Sequence, residues 1–310
     1  MGKWASFWLL GLIWGSSFLL IRISVEELNQ FQIVFIRTGI AAVGMNLVLL
    51  LRGKRLPTDW RSVRSLIMVG LGNTAIPFML ITWGEKTVES GLAAVLQATA
   101  SLFTLVIAHF AFTDERINLQ KIVGIGAGFI GVTLLASRSW GEGQVITGDL
   151  LGQGAIVLAS LFYATFTVYS RKVCSNLEPI IISAGAMTTA AIASGFLTYA
   201  APLFGGPAPT PLNALSSNVL LSVLVLGFVN TFIAYLMFYS LVQTIGAART
   251  SMVTYVVPPV GLILGVIFLN EILDARLLIG ALIIFAGIGI VNWRFRHTPT
   301  PVLDVPETVA

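Results

Sequence analysis

Hydrophobic residues in this chain occur in long blocks, each about as long as a membrane helix needs to be. A helix that crosses the hydrocarbon core takes roughly 20 predominantly apolar residues. Ten such runs begin near Ala5, Phe31, Ser65, Thr87, Leu119, Leu150, Ile181, Asn218, Ala247 and Leu277. The pattern predicts an all-α membrane protein with ten transmembrane helices, called span 1 to span 10 below.

One stretch of the chain returns later in degraded form. Residues 91–131 and 246–287 both open on small residues, run through an apolar block to a Glu, and continue in a second apolar block. Glycines follow nine and sixteen residues after Glu115 in the first copy and after Glu271 in the second. This common register indicates an internal repeat.

The repeat predicts how the chain is divided. Five spans fall in residues 1–140 and five in residues 141–297, so an odd number per copy places the two copies upside down relative to each other. Inverted repeats recur in secondary transporters, with the substrate site near the midplane between the halves. We therefore expect two inverted five-helix repeats around a central cavity. Residues 298–310 are polar and Pro-rich, and we expect a disordered tail there.

Basic residues predict the orientation of the chain. A cytoplasmic N-terminus puts thirteen Lys and Arg on the cytoplasmic side and three on the other, and an excess of basic residues in short loops marks the cytoplasmic side. The three on the other side are Lys86, Arg138 and Arg276. Both termini are thus expected in the cytoplasm, with the protein in the cell inner (plasma) membrane.

Composition removes several classes of function. A mean hydropathy of +0.90 with 10% charged residues is incompatible with a soluble surface. One cysteine, Cys174, and two histidines leave no disulfide framework and no multi-ligand metal site, and no cofactor is expected. The chain has no HExxH or GxSxG motif, so an enzyme with catalytic residues is not expected. Dispersed basic residues speak against nucleic acid as a partner.

Four stretches of sequence resemble one family of membrane carriers. They are WGSSFLLIRIS from Trp14, SGLAAVLQATASLFT from Ser90, DERINLQKIVGIGAGFIGVTLL from Asp114 and GAARTSMVTYVVPPVGLILGVIFLNE from Gly246. The chain resembles the EamA family of the drug/metabolite transporter superfamily from about residue 5 to residue 293. The resemblance implies a central cavity open alternately to either side, and export or facilitated passage of small solutes such as amino acids or amines.

The first copy departs from this family at one position. Many relatives have a proline shortly after the ATA of span 4, where this chain has Ser101, whereas the second copy keeps Pro258 and Pro259. The difference predicts a kink in span 9 that span 4 lacks, and hence unequal gating by the two halves.

Polar residues inside spans indicate the lining of a cavity, because polar groups are costly in hydrocarbon. Three spans carry them at helical spacing: Gln97, Ser101 and Thr104 in span 4, Ser160, Tyr163, Thr167 and Ser170 in span 6, and Ser251, Tyr255 and Pro258 in span 9. For a single hydroxyl, a bond to its own helix carbonyl is the alternative. As sets, the stripes favour a cavity.

Amides and aromatic rings complete the candidate site. A mid-span amide needs partners and can offer donors and acceptors to a zwitterion, and aromatic rings suit an apolar side chain or an organic cation. Trp83 ends a span and is assigned to the interfacial belt. The expected substrate-binding residues are Trp14, Asn73, Gln97, Ser101, Tyr163, Thr167, Asn230, Tyr235, Ser251, Tyr255 and Pro258.

Charged residues near the spans receive mostly structural assignments. For Arg37 we favour an ion pair with Glu26 or Glu27 over attraction of a substrate carboxylate. His109 is expected to be a neutral, hydrogen-bonded histidine, with a proton relay as the alternative. Glu271, like Glu115, is expected at the N-terminus of the helix that follows it. Because no acidic residue lies near the middle of a span, ion coupling is not evident, and a uniporter or weakly coupled exporter fits best.

The sequence thus predicts a secondary transporter that exports, or facilitates passage of, amino-acid-like or amphipathic metabolites by alternating access. Its expected partners are a small-molecule solute and membrane lipids, with the chain a monomer or a homodimer. The pairs Gly11 with Gly15, Gly124 with Gly128, and Gly261 with Gly265 are assigned to helix packing within one chain. The alternative function is a lipid scramblase or channel-like pore on the same helical framework.

Overall fold

Ten helical spans form the architecture, in a computed structural model that describes residues 2–113, 117–137 and 148–292. Six of the spans are uninterrupted: span 1 (Lys3–Ser24), span 2 (Gln30–Leu51), span 5 (Leu119–Ala136), span 6 (Gly148–Val173), span 7 (Pro179–Ala200) and span 10 (Ala275–Asn292). Within these described ranges no residue lies in a β-strand. Nine spans are long and apolar enough to cross a membrane, and the apolar part of span 10, Ala275–Val291, is shorter. The prediction of an all-α membrane protein is confirmed.

Four spans are interrupted, in two matching pairs. Span 3 (Trp60–Gly84) contains a π-helical turn, Leu71–Ala75, and span 8 (Ser217–Ile245) contains one at Phe228–Ile233. Each π-helical turn carries an Asn followed by a Thr. Such bulges occur often at functional sites. Span 4 comprises Ser90–Gln97 and Ala100–Ala111, and span 9 comprises Ala247–Ser251, Met252–Tyr255 and Val257–Leu269.

The interruption of span 4 corrects the expectation that Ser101 removes a kink. The helix breaks at Ala98 and Thr99 without a proline. At the break, Thr99 N donates to Leu96 O at 3.1 Å and Ser101 N to Ala98 O at 3.2 Å. The hydroxyls of Thr99 and Ser101 donate to the same two carbonyls at 2.6 and 2.7 Å. Span 9 tightens in the same way, with Val256 N donating to Val253 O at 3.0 Å. Spans 4 and 9 are therefore both interrupted, and the expectation that only span 9 has a kink is wrong. Unequal gating by the two halves stays a prediction.

Side-chain caps explain where several helices begin. A polar side chain just before a helix can bond one of its first free backbone N–H groups. A side-chain oxygen accepts a hydrogen bond from the backbone N–H three residues later at Asn29, Asp59, Asn118, Ser216 and Asp274. Each of these residues lies in a connecting segment between two apolar blocks, so the sequence itself sets where the span after it begins.

Glu271 caps a different helix from the one expected. Its carboxylate accepts hydrogen bonds from Ser90 N at 2.6 Å and Gly91 N at 2.9 Å, at the start of span 4. Asp274 caps span 10 instead. A carboxylate suits the positive end of any nearby helix, and the short turn after span 9 carries Glu271 across to the other half of the chain. Glu115 and the predicted tail at 298–310 lie outside the described residues.

Glycine pairs bring spans together. Spans 5 and 10 pack along their length, and a Cβ built at Gly124 would lie 2.5 Å from Gly287 O. Gly15 lies against Val260 of span 9, and Gly261 against Ala94 of span 4. The glycines therefore pack within the chain, as predicted.

The two ends of the helix bundle differ in packing. At one end, residues 90–96 of span 4 are all buried, and the loop between spans 7 and 8 is fixed to span 2 by the bond from Thr210 N to Gln32 Oε1, 2.9 Å. This end holds Glu85, Ser90 and Glu271, and we call it the Glu85 end. At the opposite end, Ser251, Met252 and Thr254 are exposed.

Candidate functional site

Arg37 lies at the centre of the candidate site and departs from its predicted role. Its side chain is only 7% exposed. Nε donates to Thr231 Oγ1 at 2.8 Å, and Cζ lies 3.8 Å from the centroid of the Phe78 ring. Within the described residues, the one ion pair joins Lys54 and Glu178. The preferred pairing with Glu26 or Glu27 is wrong, because Arg37 lies two turns inside span 2, away from the loop that carries those acids.

Two predicted aromatic residues lie near Arg37, and a third contacts one of them. Tyr163 of span 6 and Tyr235 of span 8 lie within electrostatic range of the guanidinium. The ring of Tyr163 meets Phe78 edge-on at 6.4 Å, and Trp14 meets Tyr235 edge-on at 6.1 Å, both between centroids. Spans 1, 2, 3, 6 and 8 thus contribute to one arrangement of a cation and aromatic rings.

The two asparagines of the π-helical turns bond differently. Asn230 Nδ2 donates to Ile13 O, to Ser16 Oγ at 2.9 Å and to Ser17 Oγ at 3.1 Å, which ties span 8 to span 1. Its Oδ1 is buried and has no partner within the described residues. Asn73 Oδ1 accepts from Thr167 Oγ1 at 3.3 Å, so two predicted site residues meet there.

Span 4 places Gln97 at its interruption. The side chain is half-buried, and its amide makes no hydrogen bond within the described ranges. Nearby hydroxyls are used locally: Ser101 donates to Ala98 O, Thr104 to Ala100 O at 2.7 Å, and Ser160 to Ile156 O at 3.1 Å. Ser160 Oγ also lies 3.4 Å from Leu96 O and 3.3 Å from Gln97 O of span 4. The local alternative therefore holds for Ser101 and Thr104, and the Gln97 amide is the group of this set that is available to a solute.

The span 9 candidates are placed apart from Arg37's direct contacts. Ser251 is exposed, Tyr255 is half-buried against the main core, and Pro258 is buried in the first turn of Val257–Leu269. A proline in the first turn fits a helix start. His109 Nδ1 accepts a hydrogen bond from Ile117 N at 3.1 Å, so the expected hydrogen-bonded histidine is observed.

Four residues near the site were missed or assigned another role: Arg37, Phe78, Thr231 and Glu85. Thr231 could have been found, because the Asn-Thr pair recurs in both halves of the sequence. Glu85, in the turn between spans 3 and 4, has no exposed surface at all. Burial raises the pKa of Glu85 well above its ordinary value, as does the nearby Glu271 charge, while Arg22 and Arg37 oppose the shift.

Two surface cavities lie among the loops of the Glu85 end. One, of about 520 Å³, is lined by Arg22, Glu27 and Lys86 among others. The second, of about 530 Å³, is lined by Asp149 and Arg276 among others. Neither includes any predicted substrate-binding residue, so the site around Arg37 is separate from both.

Ten apolar spans with four interruptions near a buried cation and aromatic rings define a multi-pass membrane protein. The sequence profile of the EamA-like transporter family matches residues 3–137 and 150–293. The chain belongs to this family, within the drug/metabolite transporter superfamily.

Relatives with sequence similarity are named as transporters. The chain is 28% identical to an uncharacterized transporter of Archaeoglobus fulgidus over 94% of its own length and 99% of the relative's. It is 29% identical to the uncharacterized inner membrane transporter YedA of Escherichia coli K12, over 94% and 91%. A probable terminal-alkyne amino-acid exporter of Streptantibioticus cattleyicolor is 25% identical, over 93% and 94%. A crystal structure with 18% identity covers 93% of the chain and 96% of its own at a TM-score of 0.65, and so shares the fold.

Proposed function

We propose that this protein is a secondary transporter of the inner membrane that exports, or facilitates passage of, small solutes carrying a carboxylate, amino-acid-like molecules above all. Two inverted halves, residues 1–140 and 141–297, would alternate access to a site around Arg37. The observation that carries the proposal is that Arg37 is buried among aromatic rings and contacts no acidic side chain within the described residues.

A buried guanidinium is costly unless something compensates its charge. It stays protonated in proteins, so it cannot escape the cost by neutralising, and an unpaired buried charge is strongly unfavourable. The bond to Thr231 uses Nε alone, and the two terminal nitrogens have no hydrogen-bond partner within the described part of the chain. Two parallel N–H groups match the two oxygens of a carboxylate. Glu85 acts on Arg37 electrostatically but forms no ion pair with it, so a substrate carboxylate can serve as the direct counter-ion.

The surroundings of Arg37 suit the rest of such a solute. Trp14, Tyr163 and Tyr235 offer ring faces and edges to an apolar side chain or an ammonium group. The unpartnered Oδ1 of Asn230 and the amide of Gln97 offer further polar contacts. A relative that is named a probable amino-acid exporter supports the same class of substrate.

The difference between the two ends supports alternating access. Residues 90–96 of span 4 are all buried and Glu271 bonds the start of span 4 at the Glu85 end, whereas residues 103–107 of the same span, toward the opposite end, are half-buried. A carrier closed on one side has this asymmetry. In the orientation predicted from the basic residues, the end opposite Glu85 would face the cytoplasm, from which an exporter would load its solute.

Efflux from proteoliposomes tests the proposal. Vesicles are loaded with a panel of amino acids and, for each transported member, with its carboxamide. We expect the amino acid to leave and the carboxamide to be retained. Arg37→Gln should lower the rate at least about tenfold, because a hydrogen bond to a charged group contributes about 1.5–3 kcal/mol. Gln97→Ala and Tyr255→Ala should each lower it less.

Arg64→Gln is the matched control, because Arg64 is exposed on the first turns of span 3. It should leave efflux unchanged. Equal transport of carboxylate and carboxamide, or an unaffected Arg37→Gln variant, would reject the site. Movement of labelled lipid between leaflets, or a conductance without solute selectivity, would show the scramblase or channel instead.

A further inference from the structure

Glu85 is a buried acid that the proposed substrate site does not use. It lies in the turn between spans 3 and 4, and its exposed fraction is zero. Both carboxyl oxygens are buried and have no hydrogen-bond partner within the described residues. Gly84 beside it packs against span 6, where a Cβ would lie 2.7 Å from Gly152 O. An acid in a short turn is ordinarily solvated, so this burial requires an explanation.

The cations that face Glu85 are bound to other groups. Arg22 of span 1 donates to the backbone carbonyl of Glu85 at 2.6 Å and to that of Lys86 at 3.0 Å. Arg37 of span 2 is held by Thr231. Lys86 is exposed, and its Nζ donates to Gln30 Oε1 at 2.7 Å. None of these three forms an ion pair with the Glu85 carboxyl group.

The acids that face Glu85 add negative charge. Glu271, at the end of span 9, accepts its two backbone bonds from the start of span 4 and acts electrostatically on Glu85. Spans 6 and 10 place Asp149, Asp274 and Arg276 around the adjacent surface cavity, which Glu89 also lines. The surroundings of Glu85 therefore offer a second carboxylate nearby and no direct counter-ion.

These surroundings favour a neutral Glu85. An ionised carboxylate without pairing or hydrogen bonds is far more costly to bury than a neutral carboxyl group. Burial raises the pKa of Glu85 well above its ordinary value, and the Glu271 charge acts in the same direction. The protonated form of Glu85 is therefore favoured while the Glu85 end is closed.

We propose that Glu85 is a proton-binding site, which takes up a proton when the Glu85 end closes and releases it when that end opens to solvent. This inference rests on alternating access as proposed above. It makes transport responsive to the proton gradient, because an acidic medium at the Glu85 end favours closure there. A metal ion in place of the proton would need several oxygen ligands, and the described residues contain no group of three or more His, Cys, Asp and Glu that could hold one.

The direction of the pH effect follows from proton linkage. The closed state binds one proton more than the open state wherever the pH lies between the ordinary and the raised pKa of Glu85. The closed state is therefore fully favoured below the ordinary pKa and loses stability as the pH rises through that window. Each pH unit within it changes the ratio of closed to open molecules by about tenfold.

Infrared spectroscopy of the purified full chain tests proton binding directly and requires no solute. Protonated carboxyl groups have a carbonyl band distinct from that of carboxylates. We expect the wild-type protein to retain this band at neutral pH, to lose it on titration to alkaline pH, and to lack it in Glu85→Gln. Glu26→Gln, at an exposed acid of the same end, should leave the band unchanged. A wild type without the band at neutral pH would overturn the proposal whether or not any variant folds.

A cysteine reporter tests the link to conformation. Ser90 is fully buried where spans 4 and 9 meet, and its hydroxyl has no partner within the described residues, so Ser90→Cys in a Cys174→Ser background is a mild change. The rate of labelling is divided by the reactivity of the thiolate at the same pH. This ratio corrects for the pH dependence of the maleimide reaction itself.

Corrected labelling should rise about tenfold per pH unit in the titration window with Glu85 intact, and should stay low and independent of pH with Glu85→Gln. The same pH dependence in both proteins would refute the coupling. Because neither experiment involves a solute, a negative result here is distinct from failure of the panel of amino acids to be transported.

Discussion

Arg37 depends on two neighbours that keep its guanidinium in place. Thr231 accepts the Nε hydrogen bond and itself donates to Leu226 O at 2.8 Å, in the α-helical part of span 8 that precedes the π-helical turn. The Phe78 ring covers the guanidinium on one face. Neither contact uses the two terminal nitrogens of the guanidinium. These nitrogens therefore stay available to bind a carboxylate.

Replacing Thr231 by valine tests this arrangement. Thr231→Val keeps the shape and removes both hydrogen bonds, so we expect a loss of about 1–3 kcal/mol in stability, the cost of leaving buried polar groups unsatisfied. Thermal unfolding in detergent measures it. Thr133→Val is the control, because exposed Thr133 bonds only its own helix at Phe129 O, 3.0 Å. Equal destabilisation by the two changes would show that Arg37 does not depend on Thr231.

Glu85 and Arg37 also show where prediction from sequence stops. Distance along the chain from the middle of a span suggests loop acids as partners for Arg37 and gives Glu85 no role. The structure instead brings Arg22 of span 1 against the Glu85 backbone and Gly152 of span 6 against the adjacent Gly84, from distant parts of the sequence. No local pattern carries that information, whereas Trp14, Tyr163 and Tyr235 were found because ring chemistry in mid-span is visible locally.

Helix pairs are held at short distances by glycine, and spans 5 and 10 show it best. A Cβ at Gly287 would lie 2.5 Å from Gly124 O and 2.8 Å from Gly128 N, both backbone atoms that cannot rotate away. Close approach of backbones stabilises helix pairs in lipid. A side chain added to the contact surface of span 5 or span 10 would force the two spans apart.

Gly287→Ala should therefore destabilise the protein by about 1–3 kcal/mol, in the range of other overpacked cores. Gly289→Ala is the control, since nothing lies within 4 Å of a Cβ at Gly289 on the same helix. There the better helix propensity of alanine should leave stability unchanged or raise it by up to about 1 kcal/mol. Resistance to thermal aggregation in detergent compares the two, and equal losses would contradict close packing of this helix pair.

The interrupted helices were only partly visible in the sequence. Pro77 in span 3 and Pro258 in span 9 are signals of a break, but span 8 has a π-helical turn without proline, and span 4 breaks at Ala98 and Thr99. In both proline-free cases hydroxyl groups bond carbonyls around the break, as Thr231 and Ser101 do. Since Ser and Thr also bond carbonyls in regular helices, their presence alone could not mark the interruption.

The arrangement of the full chain follows from counting spans, and the count was available from hydrophobic blocks alone. Span length is fixed by bilayer thickness, so ten blocks gave ten helices. The relation between the two halves is a separate matter. The loop between spans 2 and 3 and the loop between spans 7 and 8 occupy the same place in the two copies, yet an odd number of spans per copy predicts opposite sides of the membrane for them.

Cysteine labelling in cells checks this inverted arrangement. Arg55 and Asn213 are exposed in these two loops, and each is replaced by cysteine in a Cys174→Ser background. An impermeant maleimide should label Asn213→Cys on intact cells and Arg55→Cys only after permeabilisation, because basic residues retain the Arg55 side in the cytoplasm. Labelling of both from one side would mean that a span between them does not cross, which would remove the inverted halves on which alternating access depends. The reverse pattern would keep the halves inverted but turn the Glu85 end toward the cytoplasm, so the proton that we assign to Glu85 would be drawn from inside the cell.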